Sequence, residues 1–290
     1  MTTPRRTTPP SDPLPRLPFP LDRLLALLQR GGRMPAGRVA IVRLYGSIGG
    51  GPRTADQIEL IRRLRESKRV PAVVVDVDSP GGSATASDDL FLALQRLAAR
   101  KPLVAAIRGT GASGAYLAAM AAKTVVAQPH AVVGSIGVIS VGPRVARLFE
   151  RLGIEVSETK AGHLKGMGAP WREETDEERA KERELVDAFY TAFVQRVATA
   201  RGLSEARVRE LATGEVWLGV QARELGLVDE VGDLERAVEL AAKAAGVPPR
   251  QAVVHLRRRL VDRLFERFST QLSERVAAEL EARLGGGLRT

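Results

Sequence analysis

The sequence predicts an α/β fold with a mostly parallel sheet flanked by helices. Three observations carry that expectation. Short, continuously apolar runs recur between residues 39 and 159, and segments of helical periodicity separate most of them. Runs without polar alternation fit strands buried on both faces, as in a parallel sheet. The chain has 290 residues, 44% of them hydrophobic, which is enough for one large core. Aromatics are only 4%, so that core is built from Ala, Val, Leu and Ile.

The elements follow in order. Val39–Tyr45 reads as a strand. Residues 55–67 read as a helix with Ile58, Ile61 and Leu64 at helical spacing. Residues 70–77 read as an apolar strand interrupted only by Asp76, followed by a helix over 84–99. Residues 103–107 are a strand, followed by a glycine-rich turn and a helix through 116–122. Residues 124–127 and 136–141 read as strands, 145–152 as a helix and 154–159 as a strand. A long helix is expected from about 176 to 200, and another over 203–212 with Ser204 as its cap.

The chain divides into a Pro/Arg-rich leader with a short amphipathic helix (1–37), a main domain (38–248) and a basic amphipathic C-terminal helix (249–290). In the last part Leu256, Leu260, Leu264, Phe268, Leu272, Val276, Leu280 and Leu284 repeat every four residues. On a helix that stripe drifts about 40° per step, so it winds around the axis and can serve docking, oligomer contact or a membrane surface.

Composition narrows the chemistry. There is no cysteine, so disulfides, thiolate catalysis and Cys-ligated metals are out. The three histidines, His130, His163 and His255, show no metal-ligand spacing. No metal or other cofactor is expected. The net charge of +10 sits at the ends: residues 1–38 hold seven Arg and two Asp, and residues 250–290 hold nine Arg and five acids. A nucleic-acid partner is not expected, because its basic patch belongs on the folded core with interleaved aromatics. The basic ends are instead candidates for peripheral contact with a membrane. No run of 18 apolar residues suggests a transmembrane helix, and the leader makes no clear signal peptide, so a cytoplasmic location is expected.

The turn "RGTGASGAYLAAMAAK" (108–123) raises the central question. Its glycines at 109, 111 and 114 have dinucleotide-loop spacing, yet no Asp or Glu occurs between Leu90 and Phe149 to hold a ribose. Ser113 in the same turn could instead be a nucleophile, which needs a base. Lysine is one choice. The chain has seven lysines against 37 arginines, and Lys165 lies in "KAGHLKGMGAP", free of acids. Burial without a carboxylate partner would bring an ammonium towards neutrality, as a lysine base requires. "VDVDSPGGSATASDDLF" (75–91) places glycines at a strand end, where backbone N–H groups could hold an oxyanion. Asp76 and Asp78 fall on one strand face and read as structural.

Five segments together resemble the SppA-type signal peptide peptidases, Ser/Lys-dyad serine peptidases of the ClpP/crotonase-like fold. They are "DSPGG" (78–82), "GASGAYLAAMAA" (111–122), "VVGSIGVI" (132–139), "KAGHLKGMGAPWREETDEER" (160–179) and "GEVWLGVQARELGLVDEVGDLERAV" (214–238). The resemblance covers about 39–245 and implies a half-length form with a single motif set. It implies Ser113 as nucleophile, Lys165 as general base and Ser135 as the hydroxyl that orients the lysine. The N–H groups of Gly82 and Gly114 match the oxyanion hole. It further implies peptide substrates such as signal-peptide remnants or other small, apolar-rich peptides, and a homo-oligomer with inward-facing sites. The chain departs from many relatives at Gly166, where Asp often follows the lysine, at His163, and in having the Pro/Arg-rich leader where they carry a membrane anchor. Two alternatives stand beside this reading: a crotonase-like acyl-CoA hydratase or isomerase, and a non-catalytic scaffold on the same fold.

Overall fold

In the computed structural model, which describes residues 36–49 and 51–254, the apolar runs become the strands of one eight-stranded sheet. Strand β1 (Val39–Tyr45) leads to helix α1 (Pro52–Glu66), which starts three residues earlier than the periodicity predicts because Pro52 occupies its first turn. Strand β2 (Val73–Ser79) and helix α2 (Ala84–Ala98) follow. Strand β3 (Leu103–Ala112) leads into helix α3 (Gly114–Ala119). Strands β4 (Thr124–Ala127) and β5 (Val132–Gly134) precede helix α4 (Ala146–Leu152). The long helix α5 (Asp176–Arg201) opens on a capping box, in which Thr175 and Glu178 satisfy each other's backbone N–H groups. Helix α6 (Glu205–Leu211) is capped by Ser204 as expected. Strand β6 (Val216–Leu218), helix α7 (Gly219–Glu224), strand β7 (Glu230–Val231), helix α8 (Leu234–Ala245) and strand β8 (Gln251–Val253) complete the described chain.

The sheet runs β6-β5-β3-β2-β1-β8, and β4 with β7 branch from β3. Every pairing is parallel except β5 with β6. The α/β class and mostly parallel sheet agree with the sequence. Alternation along the strands builds two cores. Val42, Val75, Val77, Ala105 and Ile107 face one side, where Leu60, Leu64, Leu90, Leu94, Tyr116 and Val194 pack on them. Val39, Ile41, Val74, Val104 and Ala106 face the other, covered by Ala237, Val238, Ala241 and Ala242 of α8. Asp76 and Asp78 share this second side. Asp76 is fully buried, accepts from the Tyr45 hydroxyl at 2.5 Å and pairs with Arg108. Asp78 Oδ1 accepts the Thr110 N–H at 3.0 Å. Both are structural, as expected.

Three expectations are corrected. Residues 136–141 and 154–159 form no strand. The chain turns away at Ser135, leaving Ile139 and Val141 more than four-fifths exposed. The boundary at 248/249 cuts through the sheet edge, because β8 pairs in parallel with β1. Residues 1–35 of the leader, with its expected short helix, and the tail from His255 lie outside the described residues. Among the described residues, no helix is long and apolar enough to cross a membrane.

Candidate active site

Parallel strands end on the same edge of a sheet, so the turns that follow them gather there. The turns after β1, β2, β3 and β5 bring Ser47, the Pro80–Ser83 loop, Ser113 with Gly114, and Ser135 around a cavity of about 870 Å³. Helices α2 and α5 add walls: Ser87 and Asp88 from the first, Phe189, Phe193 and Arg196 from the second.

Ser113 joins β3 to α3 with φ 51° and ψ −125°, and its side chain makes no capping bond. Among the described non-glycine residues only Ser113 and Ser135 have positive φ, and both line this cavity. Such backbone costs about 1–3 kcal/mol per residue and persists only where the surroundings impose it. They do so here. The Ser113 N–H donates to the Gly134 carbonyl at 2.8 Å, and the Ser135 N–H to the Glu215 carbonyl at 2.7 Å. Strand β3 therefore holds the serine from one side and β5 from the other.

The glycine positions are set by close approach. A Cβ on Gly114 would overlap the Ser87 hydroxyl and lie 2.7 Å from Ser87 Cβ. A Cβ on Gly82 would overlap the Ile48 carbonyl, which the chain needs for the Ser83 N–H. Neither the Gly82 nor the Gly114 N–H is spent on a backbone hydrogen bond in these turns. The Gly82 nitrogen lies 3.6 Å from the Cβ position of Gly114, so the two donors are close neighbours beside Ser113. A hydroxyl flanked by two unspent N–H groups can attack a carbonyl and leave its oxygen hydrogen-bonded. The dinucleotide spacing has another cause: Gly109 makes room for the Asp78 carboxylate and Gly111 for the Ile107 side chain.

Ser113, Ser135, Gly82 and Gly114 are thus brought together. Lys165 is not. It lies exposed in the 160–170 segment, outside the cavity lining, with its N–H donating to the Gly162 carbonyl at 3.0 Å. The expected burial of this lysine is corrected: its short turn stands on the outside of the chain. Arg172 fixes that turn by donating to the Gly166 carbonyl at 3.0 Å and to Glu178. His163 is exposed and pairs with Glu177 at 2.9 Å, and His130 is exposed as well. No described histidine or lysine lines the cavity.

Sequence reasoning missed Ser47, Ser87, Asp88, Phe189, Phe193 and Arg196. A signal existed for three of them. Phe189, Phe193 and Arg196 stand at i, i+4 and i+7, which is one face of a helix.

The model of Peptidase family S49 matches residues 95–248. The chain is 36% identical over 229 residues to a chloroplastic serine protease SPPA of Arabidopsis thaliana, covering 75% of this chain and 33% of that one. It is 36% identical over 214 residues to a putative protease of Synechocystis, covering 73% and 76% of the two. The chain therefore spans a third of the first relative and about three quarters of the second. A mutant of the 1510-N membrane-bound stomatin-specific protease has a similar fold, with TM-score 0.51 at 13% identity over 76% of this chain and 99% of that one.

Proposed function

Because the chain belongs to peptidase family S49, we propose that it is a serine endopeptidase with Ser113 as nucleophile and Lys165 as general base. The observation that carries this reading is Ser113 itself, held in a strained conformation beside two unspent N–H groups at the C-terminal edge of the sheet. Ser113 Oγ attacks the peptide carbonyl carbon and its proton passes to Lys165 Nζ. The carbonyl oxygen becomes an oxyanion that accepts from Gly82 and Gly114 N–H. The lysine then protonates the departing amine, leaving an acyl-enzyme on Ser113. Water attacks that ester, giving its proton to the lysine, and the acid product leaves with Ser113 restored. Ser135 orients the lysine amine. Family membership also displaces the hydratase reading of the same turn.

Lys165 lies outside the cavity of its own chain, so a second copy supplies it. The segment around it supports this. Helix α4 has no buried residue, and Ile139, Val141, Leu148, Leu152 and Ile154 are exposed along the same stretch of chain. An apolar stretch of this length needs a partner surface, and a homo-oligomer provides one. The apolar cavity walls, Leu117, Val138, Phe189 and Phe193, suit signal-peptide remnants or other peptides with small and apolar side chains.

The test is peptide hydrolysis by Ser113→Ala, by Lys165→Ala and by their mixture after co-refolding. Each variant alone is expected to be inactive. In a head-to-tail ring, an equal mixture regenerates about a quarter of the intact Ser/Lys pairs. Full activity in either single variant overturns the dyad. An inactive mixture overturns supply of the lysine from another copy.

A further inference from the structure

Among the described residues, the cavity that holds Ser113 is lined by neutral side chains with one exception, the pair Asp88 and Arg196. The pair joins α2 to α5, 108 residues apart in sequence, through Arg196 Nη1 and Asp88 Oδ1. Arg196 also lies over the Phe91 ring, 4.6 Å from its centroid. The ring packs against the guanidinium, whose hydrogen-bonding capacity lies at its edge. Among the described residues Nε and Nη2 donate to nothing.

A structural clamp between two helices has no need of the substrate cavity. This one lies in its wall and is half-finished. Arginine has five N–H donors in a fork that matches a carboxylate bidentately. Asp88 takes one nitrogen. Burial without enough compensation pushes the guanidinium below its ordinary pKa, so Arg196 is under-solvated where it stands. Asp88 is the more exposed partner, at 33% against 26%, so its second oxygen is the more open to solvent. The unspent capacity of the pair therefore lies on the arginine side and calls for an anion.

We propose that Arg196 is a specificity-determining residue that receives a carboxylate of the bound peptide, while Leu117, Phe189 and Phe193 hold the apolar part of the same segment. The inference rests on the peptidase reading for its substrate class. A carboxylate could come from a Glu or Asp side chain or from the free C-terminus of a short peptide, and the fork accepts both in the same geometry.

The experiment uses full-length protein and a panel of short peptides. They carry Glu, Gln, Lys or Leu at each position near the cut, each made with a free and an amidated C-terminus. Binding to Ser113→Ala is measured by fluorescence anisotropy, and kcat/KM is measured on the wild type. A charge-assisted pair predicts roughly tenfold tighter binding of the Glu over the Gln peptide at one position. In Ser113→Ala/Arg196→Gln that ratio falls to about one. In Ser113→Ala/Asp88→Asn it rises, because the arginine loses its competing partner. A preference that follows only the free C-terminus assigns the site to the terminal carboxylate and supports the proposal equally. Equal binding of Glu and Gln peptides together with equal binding of free and amidated C-termini, a preference for Lys, or a change in the same direction for both variants overturns it. The last result, with a matching fall in melting temperature, identifies a helix clamp. Binding with the predicted ratio but no cleavage by wild type would fault the peptidase reading and leave this one standing. Cleavage of all neutral peptides without any carboxylate preference would do the reverse.

Discussion

Gly114→Ala tests whether the reactive turn is held by contact between α2 and α3. The added methyl would overlap the Ser87 hydroxyl and stand 2.7 Å from Ser87 Cβ. Carbon atoms prefer about 3.5–4.0 Å, so about 1 Å must be found. Ser87 cannot supply it freely. It is fully buried and its hydroxyl donates to the Ser83 carbonyl at 2.8 Å inside α2. The two helices must separate, and overpacking of this kind costs about 1–3 kcal/mol. For a domain of this size that lowers the melting temperature by roughly 4–8 °C at the middle of the range. The same shift moves the Gly114 N–H from its place beside Ser113. Loss of one oxyanion donor costs on the order of 10²–10³ in kcat. The decisive assay is a double-mutant cycle. Ser87→Gly alone costs about 1–2 kcal/mol through a lost hydrogen bond and lower helix propensity. It also empties the space that a methyl on position 114 would need. The double variant should therefore be markedly more stable and more active than the sum of the single effects predicts. Strict additivity, or a Gly114→Ala protein with wild-type melting and kcat, would refute the contact argument.

Two further outcomes follow from the scaffold. Tyr116 is fully buried, and its hydroxyl donates to the Leu227 carbonyl at 2.7 Å, tying α3 to the segment before β7. Tyr116→Phe strands that carbonyl and should cost about 1–3 kcal/mol, read as a lower urea midpoint with an unchanged m-value. Glu178 is held at a pKa of about 2 by the Arg172 guanidinium and then by the Thr175 N–H, against an ordinary 4.5. The folded value lies below the unfolded one, so its contribution is full above pH 4.5 and fades as pH falls towards 2. Glu178→Gln should therefore flatten the loss of stability between pH 4.5 and 2 in acid titrations followed by circular dichroism. An acid limb identical to wild type would refute the assignment.

How much of this is legible in the sequence depends on whether a signal is local. Strands β1 and β2 announce themselves because both faces are buried, so Val and Ile run almost without interruption. Strand β3 is legible only to Ile107, because glycines 109 and 111 look like a loop. The strand continues because Thr110, Gly111 and Ala112 find partners in Val132, Val133 and Gly134. The converse error occurs at 136–141. Ile139 and Val141 alternate like a strand, but the left-handed turn at Ser135 removes them from the sheet. Alternation reports a wish to be covered and does not say by what. The lysines show the same limit. Scarcity marks all seven, and Lys101 has a purely structural use made by tertiary contact: its ammonium donates to the carbonyls of Leu64, Ser67 and Val70 and closes the end of α1.

Among the described residues Lys165 has no such use, and neither do the exposed apolar residues that precede it. A residue type suited to catalysis, placed outside the cavity it would serve, on a segment whose apolar side chains remain uncovered, is explained once by a second copy and twice by anything else. Assembly would cover Ile139, Leu148 and Leu152 and deliver Lys165 in a single step. Activity should then fall with dilution in parallel with the loss of oligomer, at concentrations where circular dichroism still reports folded chains. A specific activity that stays constant while the mass in solution drops to that of one chain would sever Lys165 from the mechanism. It would require a base within the cavity itself, where Asp88 is the only carboxylate among the described lining residues.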